Sequence, residues 1–240
     1  MSLRISTSMD RPASMTTDSP AEEPDVIRAV IFDLDKCLAP PEEIGRAFFD
    51  PPIDAIRRAN NGTLSDEALE SAIRDFWHLA YDDIAARHGF SPAMFRAGWE
   101  AYRSLRMPGP MRGYGDLEVL AEFGVPLFLV TTGFRAFQES KVDALGIRER
   151  FVEVIVDDID GHVRLGKYRI FGELLDRNDW QSESVLVVGD NPESEIAAGN
   201  RLGMPTVQML RPGVSRDPSA RWHRENLPAV RDLVAEIVAS

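Results

Sequence analysis

Short apolar runs rich in β-branched residues alternate with stretches of helical period over the second half of the chain. Residues 125–131 (VPLFLVT), 152–156, 185–188 and 206–210 predict strands. Residues 117–123, 134–145, 167–177, 192–202 and 227–238 predict helices, with Gly124, Gly146 and Gly203 as stop signals. An earlier run at 26–34 (VIRAVIFDL) predicts a first buried strand, closed off by Pro40 and Pro41. Between that strand and the alternating region, residues 42–106 show apolar positions three and four apart and no strand signal. Ser65 followed by Asp66 and Glu67, and Ser91 followed by Pro92, mark helix starts there. Residues 1–24 are rich in Ser, Thr, Pro and Met, have no period, and read as a disordered leader.

Strands alternating with helices predict a parallel sheet covered on both faces. The fold expected is therefore α/β: a doubly wound, Rossmann-like core with an inserted all-helical cap. The core takes residues 25–40 and 108–240, and the cap residues 41–107. The cap interrupts the core after its first strand, at the carboxyl edge of the sheet where open α/β folds bind ligands.

Composition narrows the partners. The chain of 240 residues is 44% hydrophobic and carries a net charge of −12. That acidity disfavours binding to nucleic acid, which needs clustered Lys and Arg, and to anionic membranes. Anionic phosphate esters would have to be met by local positive charge: a lysine, a metal or helix N-termini. Cys37 is the single cysteine, so no intramolecular disulfide forms. No apolar run approaches the roughly 20 residues of a membrane span, and the N-terminus lacks a signal peptide's apolar stretch. A cytoplasmic protein, monomeric or homodimeric, is expected.

The polar residues fall at strand ends. Asp33 and Asp35 close the first strand, Thr131, Thr132 and Gly133 the second, and Asp190 follows the run VLVVG. Lys167 opens the helix after the third strand. In a parallel sheet these share one edge. Crowded acids repel unless a cation joins them, and hard oxygen ligands suit Mg²⁺. A carboxylate can attack phosphorus in line, and a second carboxyl two residues on can serve as general acid and then base.

The segments IFDLDKCL, LVTTG, Lys167 and VVGDNPESEI resemble, in order, the four motifs of the haloacid dehalogenase-like hydrolase superfamily. The resemblance runs from about Val26 to Leu210, and residues 138–151 look like that family's linker helix and loop. It implies a central five-stranded sheet and a phosphatase branch with a helical cap. It also implies Asp33 as nucleophile and Asp35 as acid/base, with Thr131 and the amides near Thr132 and Gly133 on the phosphoryl group. Lys167 neutralises charge. The resemblance implies Mg²⁺ held by Asp33, the Asp35 carbonyl and Asp190, with Glu195 in the outer shell. Lys36, Cys37 and Glu195 depart from the family's commoner Gly or Asn, Thr and Asp. The activity implied is Mg²⁺-dependent hydrolysis of a small phosphorylated metabolite through an aspartyl phosphate. A phosphomutase, a haloacid dehalogenase and a non-catalytic phosphate-binding module are the alternatives. Within the cap, Arg46, Trp77, His78, Tyr81, His88, Trp99, Tyr102 and Arg106 read as packing or solvated residues, and none is assigned to the site.

Overall fold

The computed structural model describes residues 26–77, 79–161 and 164–239. The leader expected over residues 1–24 lies outside them, as does His78. Six parallel strands form one sheet: β1 (Ala29–Phe32), β2 (Leu127–Gly133), β3 (Glu153–Asp158), β4 (Val185–Gly189), β5 (Thr206–Met209) and β6 (Trp222–Arg224), in the order β3-β2-β1-β4-β5-β6. The first strand is central because it is apolar on both faces. Its residues Val30 and Phe32 join one core, and Ala29 and Ile31 the other.

One face is covered by α6 (Lys167–Asn178) and α7 (Glu195–Leu202), through Ile170, Phe171, Leu174 and Ala198. The other carries α5 (Arg135–Leu145), a 3₁₀ segment at Leu117–Glu122 and α8 (Leu227–Val238). The expected helix at 117–123 is thus a tighter 3₁₀ turn. The five-stranded sheet implied by the resemblance gains a sixth strand. That strand has only three half-buried residues, two of them His and Arg, and gives no apolar run to detect.

Four helices fill the span between β1 and β2: α1 (Asp50–Ala59), α2 (Asp66–Arg74), α3 (Tyr81–His88) and α4 (Pro92–Tyr102). Ser65 and Ser91 cap α2 and α4, accepting from the Ala68 and Met94 amides. An aromatic cluster joins this insert to the core: Tyr102 stacks on Phe134 at 5.0 Å, and Trp99 meets the same ring edge-on at 4.8 Å. At Gly98, α4 presses on α1 so closely that a methyl group would overlap the Tyr81 hydroxyl and Ile56. That hydroxyl donates to the Phe95 carbonyl at 3.0 Å. Polar ties, among them an Arg103–Asp160 ion pair at 3.0 Å, add to that contact. Trp99 Nε1 donates to Asp160, and Arg164 pairs with Asp82 and Asp83 of α3.

Candidate active site

The carboxyl ends of β1, β2 and β4 and the N-terminus of α6 converge on a cleft of about 520 Å³ beneath the insert. Asp33, Asp35, Thr131, Thr132, Gly133, Lys167, Asp190 and Glu195 all line it. Eight positions read from the sequence are therefore brought together.

Asp33 leaves β1 with its amide donating to the Val188 carbonyl of β4 at 2.9 Å, so the sheet ladder itself fixes its place. Lys167 Nζ donates to Asp33 Oδ1 and to Glu195 Oε2, each at 2.7 Å. The other Asp33 oxygen accepts no hydrogen bond from the described residues. The ammonium thus sets the rotation of the carboxylate and leaves one oxygen open to the cleft. Glu195, 1% exposed, spends its second oxygen on the Asn191 amide at 2.6 Å. Its side chain lies against the backbone of Gly189, where any Cβ would collide with it. That absence of a side chain on β4 is what lets a glutamate, rather than a shorter acid, reach back to Lys167.

Asp33, Asp190 and Glu195 each offer a carboxylate oxygen within 4.8 Å of the others. Burial is the largest influence on both aspartates. It pushes Asp33 up to about 7, against the pull of Lys167 and with a further push from Glu195. It pushes Asp190 up to about 8, with Glu195 and Asp33 adding repulsion. For Lys167 burial opposes the charge, but the Asp33 and Glu195 carboxylates outweigh it and raise its pKa, so it stays protonated. Three carboxylates therefore crowd around the Lys167 ammonium, Lys36 adds a weaker pull on Asp190, and the Asp190 carboxylate accepts no hydrogen bond from the described residues. That donor set fits a hard divalent cation placed between Asp33 and Asp190.

Asp35 sits across the cleft. Both of its oxygens accept from Lys141 Nζ at 2.6 Å, and Oδ2 also accepts from Gln138 Nε2 at 3.1 Å. Gln138 Nε2 bonds in addition to Thr131 Oγ1 at 2.9 Å and the Thr132 carbonyl at 2.7 Å. Gln138 and Lys141 are 3% exposed. The sequence reading missed both. Their signal was phase: they share the inward face of α5 with Phe137, Val142 and Leu145. A lysine and a glutamine in that register are polar residues on a core-facing stripe.

The turn that carries Asp33 and Asp35 is tight. Leu38 and Ala39 both donate to the Leu34 carbonyl, and Lys36 donates to the Ala39 carbonyl. Lys36 stands at φ 55°, a left-handed conformation that costs a non-glycine residue about 1–2 kcal/mol. Of the insert residues weighed earlier, Trp77, Tyr81 and Tyr102 line the cleft. His88 is instead bonded to Asp75 at 2.8 Å. Asn191 forms an Asx turn, its side chain accepting from the Glu193 amide, and α7 begins at Glu195 rather than at Pro192.

Comparison with known proteins follows the same lines. A family model described as haloacid dehalogenase-like hydrolase matches residues 117–203. A glyceraldehyde 3-phosphate phosphatase of Methanopyrus kandleri is 30% identical over 200 residues, covering 78% of this chain and 85% of that protein. A ribulose-1,5-bisphosphate 5-phosphatase of Halopiger xanaduensis is 25% identical over 200 residues, covering 75% and 83%. The crystal structure of a HAD phosphatase from Thermococcus onnurineus superposes with a TM-score of 0.58 at 22% identity. It covers 87% of this chain and 98% of that one, and so shares the fold.

Proposed function

The chain belongs to the haloacid dehalogenase-like hydrolase family, and on that footing we propose that it is a Mg²⁺-dependent phosphatase of small phosphate monoesters acting through Asp33. The observation that carries the reading is the Asp33 carboxylate, with one oxygen pinned by Lys167 and the other free at the head of the cleft. The relatives' names add the substrate class: short sugar phosphates.

In the first step the free oxygen of Asp33 attacks phosphorus and the ester P–O bond breaks. Asp35, as general acid, gives a proton to the departing oxygen. Lys141 and Gln138 hold the Asp35 side chain toward the cleft for that transfer. The Thr131 hydroxyl, already accepting from Gln138, has its own proton free to donate to a phosphoryl oxygen. In the second step Asp35 takes a proton from water, which attacks the phosphoryl group and releases phosphate and free Asp33. Asp33, the Asp35 carbonyl and Asp190 would hold Mg²⁺, which would supply neutralisation of the phosphoryl charge. Glu195 keeps both oxygens engaged and orients Lys167 from the outer shell. The insert serves as a cap: its aromatic wall excludes water from a cleft sized for a small metabolite. No helix among the described residues is long and apolar enough to cross a membrane.

Metal affinity should depend on pH. Asp33 and Asp190, raised to about 7 and about 8, must lose their protons to take a cation. Affinity for Mg²⁺ therefore rises with pH through that window, by up to about tenfold per unit for each proton displaced. Calorimetry at several pH values in buffers of different ionisation enthalpy measures both affinity and proton release. Affinity flat between those pKa values would contradict the assignment of these ligands.

A panel of small phosphate esters and phosphopeptides, assayed for phosphate release with and without Mg²⁺, tests the function. Metal-dependent turnover of short sugar phosphates is expected. Turnover of phosphopeptides alone would overturn the substrate class, and no turnover of any ester would favour a binding module instead.

A further inference from the structure

Asp33 and Asp35 are only as well placed as the tight turn between them and Ala39. The Cys37 side chain braces the tip only weakly: its thiol lies 3.8 Å from the Val188 carbonyl. The Cys37 carbonyl, however, accepts a hydrogen bond from Arg211 Nε at 3.0 Å. Arg211 follows β5, its side chain is 4% exposed, and it does not line the cleft.

Each of the three guanidinium nitrogens is held. Nη1 and Nη2 fork onto Asp116 at 2.8 and 3.0 Å, and Nη1 also reaches the Glu225 carbonyl. Its Cζ lies over the Tyr114 ring, 4.3 Å from the centroid. Asp116 in turn accepts the Leu227 amide at 2.9 Å, at the start of α8. A lysine has no fork and could not bind Asp116 twice while holding Cys37. Buried ion pairs add little net stability over a packed apolar pair, so their use lies in geometry. Here the geometry ends on the backbone two residues beyond Asp35.

We propose that Arg211, locked by Asp116 and Tyr114, is a positioning residue that braces the nucleophile turn from outside the cleft. It acts through the Cys37 carbonyl on the placement of Asp33 and Asp35. The inference rests on the phosphatase reading for its kinetic arm and on the fold alone for its second arm. Misplacing a reacting group by about 1 Å costs on the order of 100-fold in rate.

The test is the double variant Arg211→Met/Asp116→Leu, which removes the pair without leaving either charge buried alone. Arg211→Lys is the companion that keeps the charge and loses the fork. Thermal unfolding establishes that each is folded, and Arg211→Lys carries the test if the double variant is not. In the folded variant kcat on the best ester falls by about 10- to 100-fold while KM changes by less than about threefold. Cys37, the chain's single cysteine, reports the turn directly. It is fully buried, so a thiol reagent reacts only when the turn opens. Its modification rate in the variant rises by about tenfold or more. Unchanged Cys37 protection overturns the brace whatever happens to kcat, and faster modification with wild-type kcat overturns the positioning role. A wild type that hydrolyses no ester would remove the phosphatase reading and leave the Cys37 arm to decide the brace.

Discussion

Asp33→Asn is expected to lower kcat by at least about 10⁴-fold on every ester the wild type accepts, with the fold intact. The size follows from what is removed. A neutral amide cannot make the bond to phosphorus, and loss of a covalent nucleophile costs on the order of 10⁴- to 10⁶-fold. The fold persists because Lys167 retains Glu195 as a partner at 2.7 Å. Thermal stability should not fall, since burial already works against the ionised form of Asp33 and raises it to about 7. A dead enzyme that is no less stable marks a group kept for chemistry rather than for packing. The comparison needs kcat and thermal unfolding on the same preparation, and a variant that retains more than about a tenth of the activity would sink the assignment.

Lys167→Met is the second large effect, and it is expected in both rate and stability. This side chain is 7% exposed and answers two carboxylates, Asp33 and Glu195. Without it those acids face each other and Asp190 in a buried pocket with no ammonium hydrogen-bonded to Asp33 or Glu195 among the described residues. Breaking a buried pair from one side costs about 3–5 kcal/mol. The sign with pH is definite. The orphaned carboxylates relieve the strain by binding protons, so the variant's deficit is largest at alkaline pH and shrinks as pH falls. The wild type shows a weaker form of the same dependence, because its Asp33 and Asp190, raised to about 7 and about 8, also bind protons more readily in the folded state. Activity should fall by about 10³-fold, for the ammonium both orients the nucleophile and offsets phosphoryl charge. Denaturant unfolding from pH 5 to pH 9 checks the first claim, and a stability deficit independent of pH would contradict it.

Much of this site could be read from the chain because it is built on strand ends. IFDLD and VLVVGD place acids where a buried parallel strand must stop, and topology does the rest. The six-stranded order puts β1 between β2 and β4, so Asp33, Thr131 and Asp190 become neighbours although the chain separates them widely. Lys167 was legible as the first residue of α6, with Gly166 just before it at φ 77° to aim the helix.

Residues whose role comes from tertiary contact were harder to see. Lys141 and Gln138 look like ordinary helix residues until α5 is docked, when they prove to face inward and to hold Asp35. Arg211 sits in the unremarkable run MLRPG, and its partners Asp116 and Glu225 lie in connections rather than elements. The strand β6 is too short and too polar to register as a run, and its pairing to β5 alone defines it. Cys37 shows the reverse case. In the sequence it stood out as a missing hydroxyl, while in the fold the tie at that position runs through its backbone carbonyl instead.

The central claim is covalent: the phosphoryl group passes through Asp33. Rapid acid quench during turnover of the best ester, followed by peptide mass analysis, tests it most directly. The account predicts one phosphoryl group on the peptide carrying Asp33, absent from Asp33→Asn, and retention of configuration at a chiral phosphorus. Steady turnover with no phosphoenzyme at Asp33 and with inverted phosphorus would contradict it.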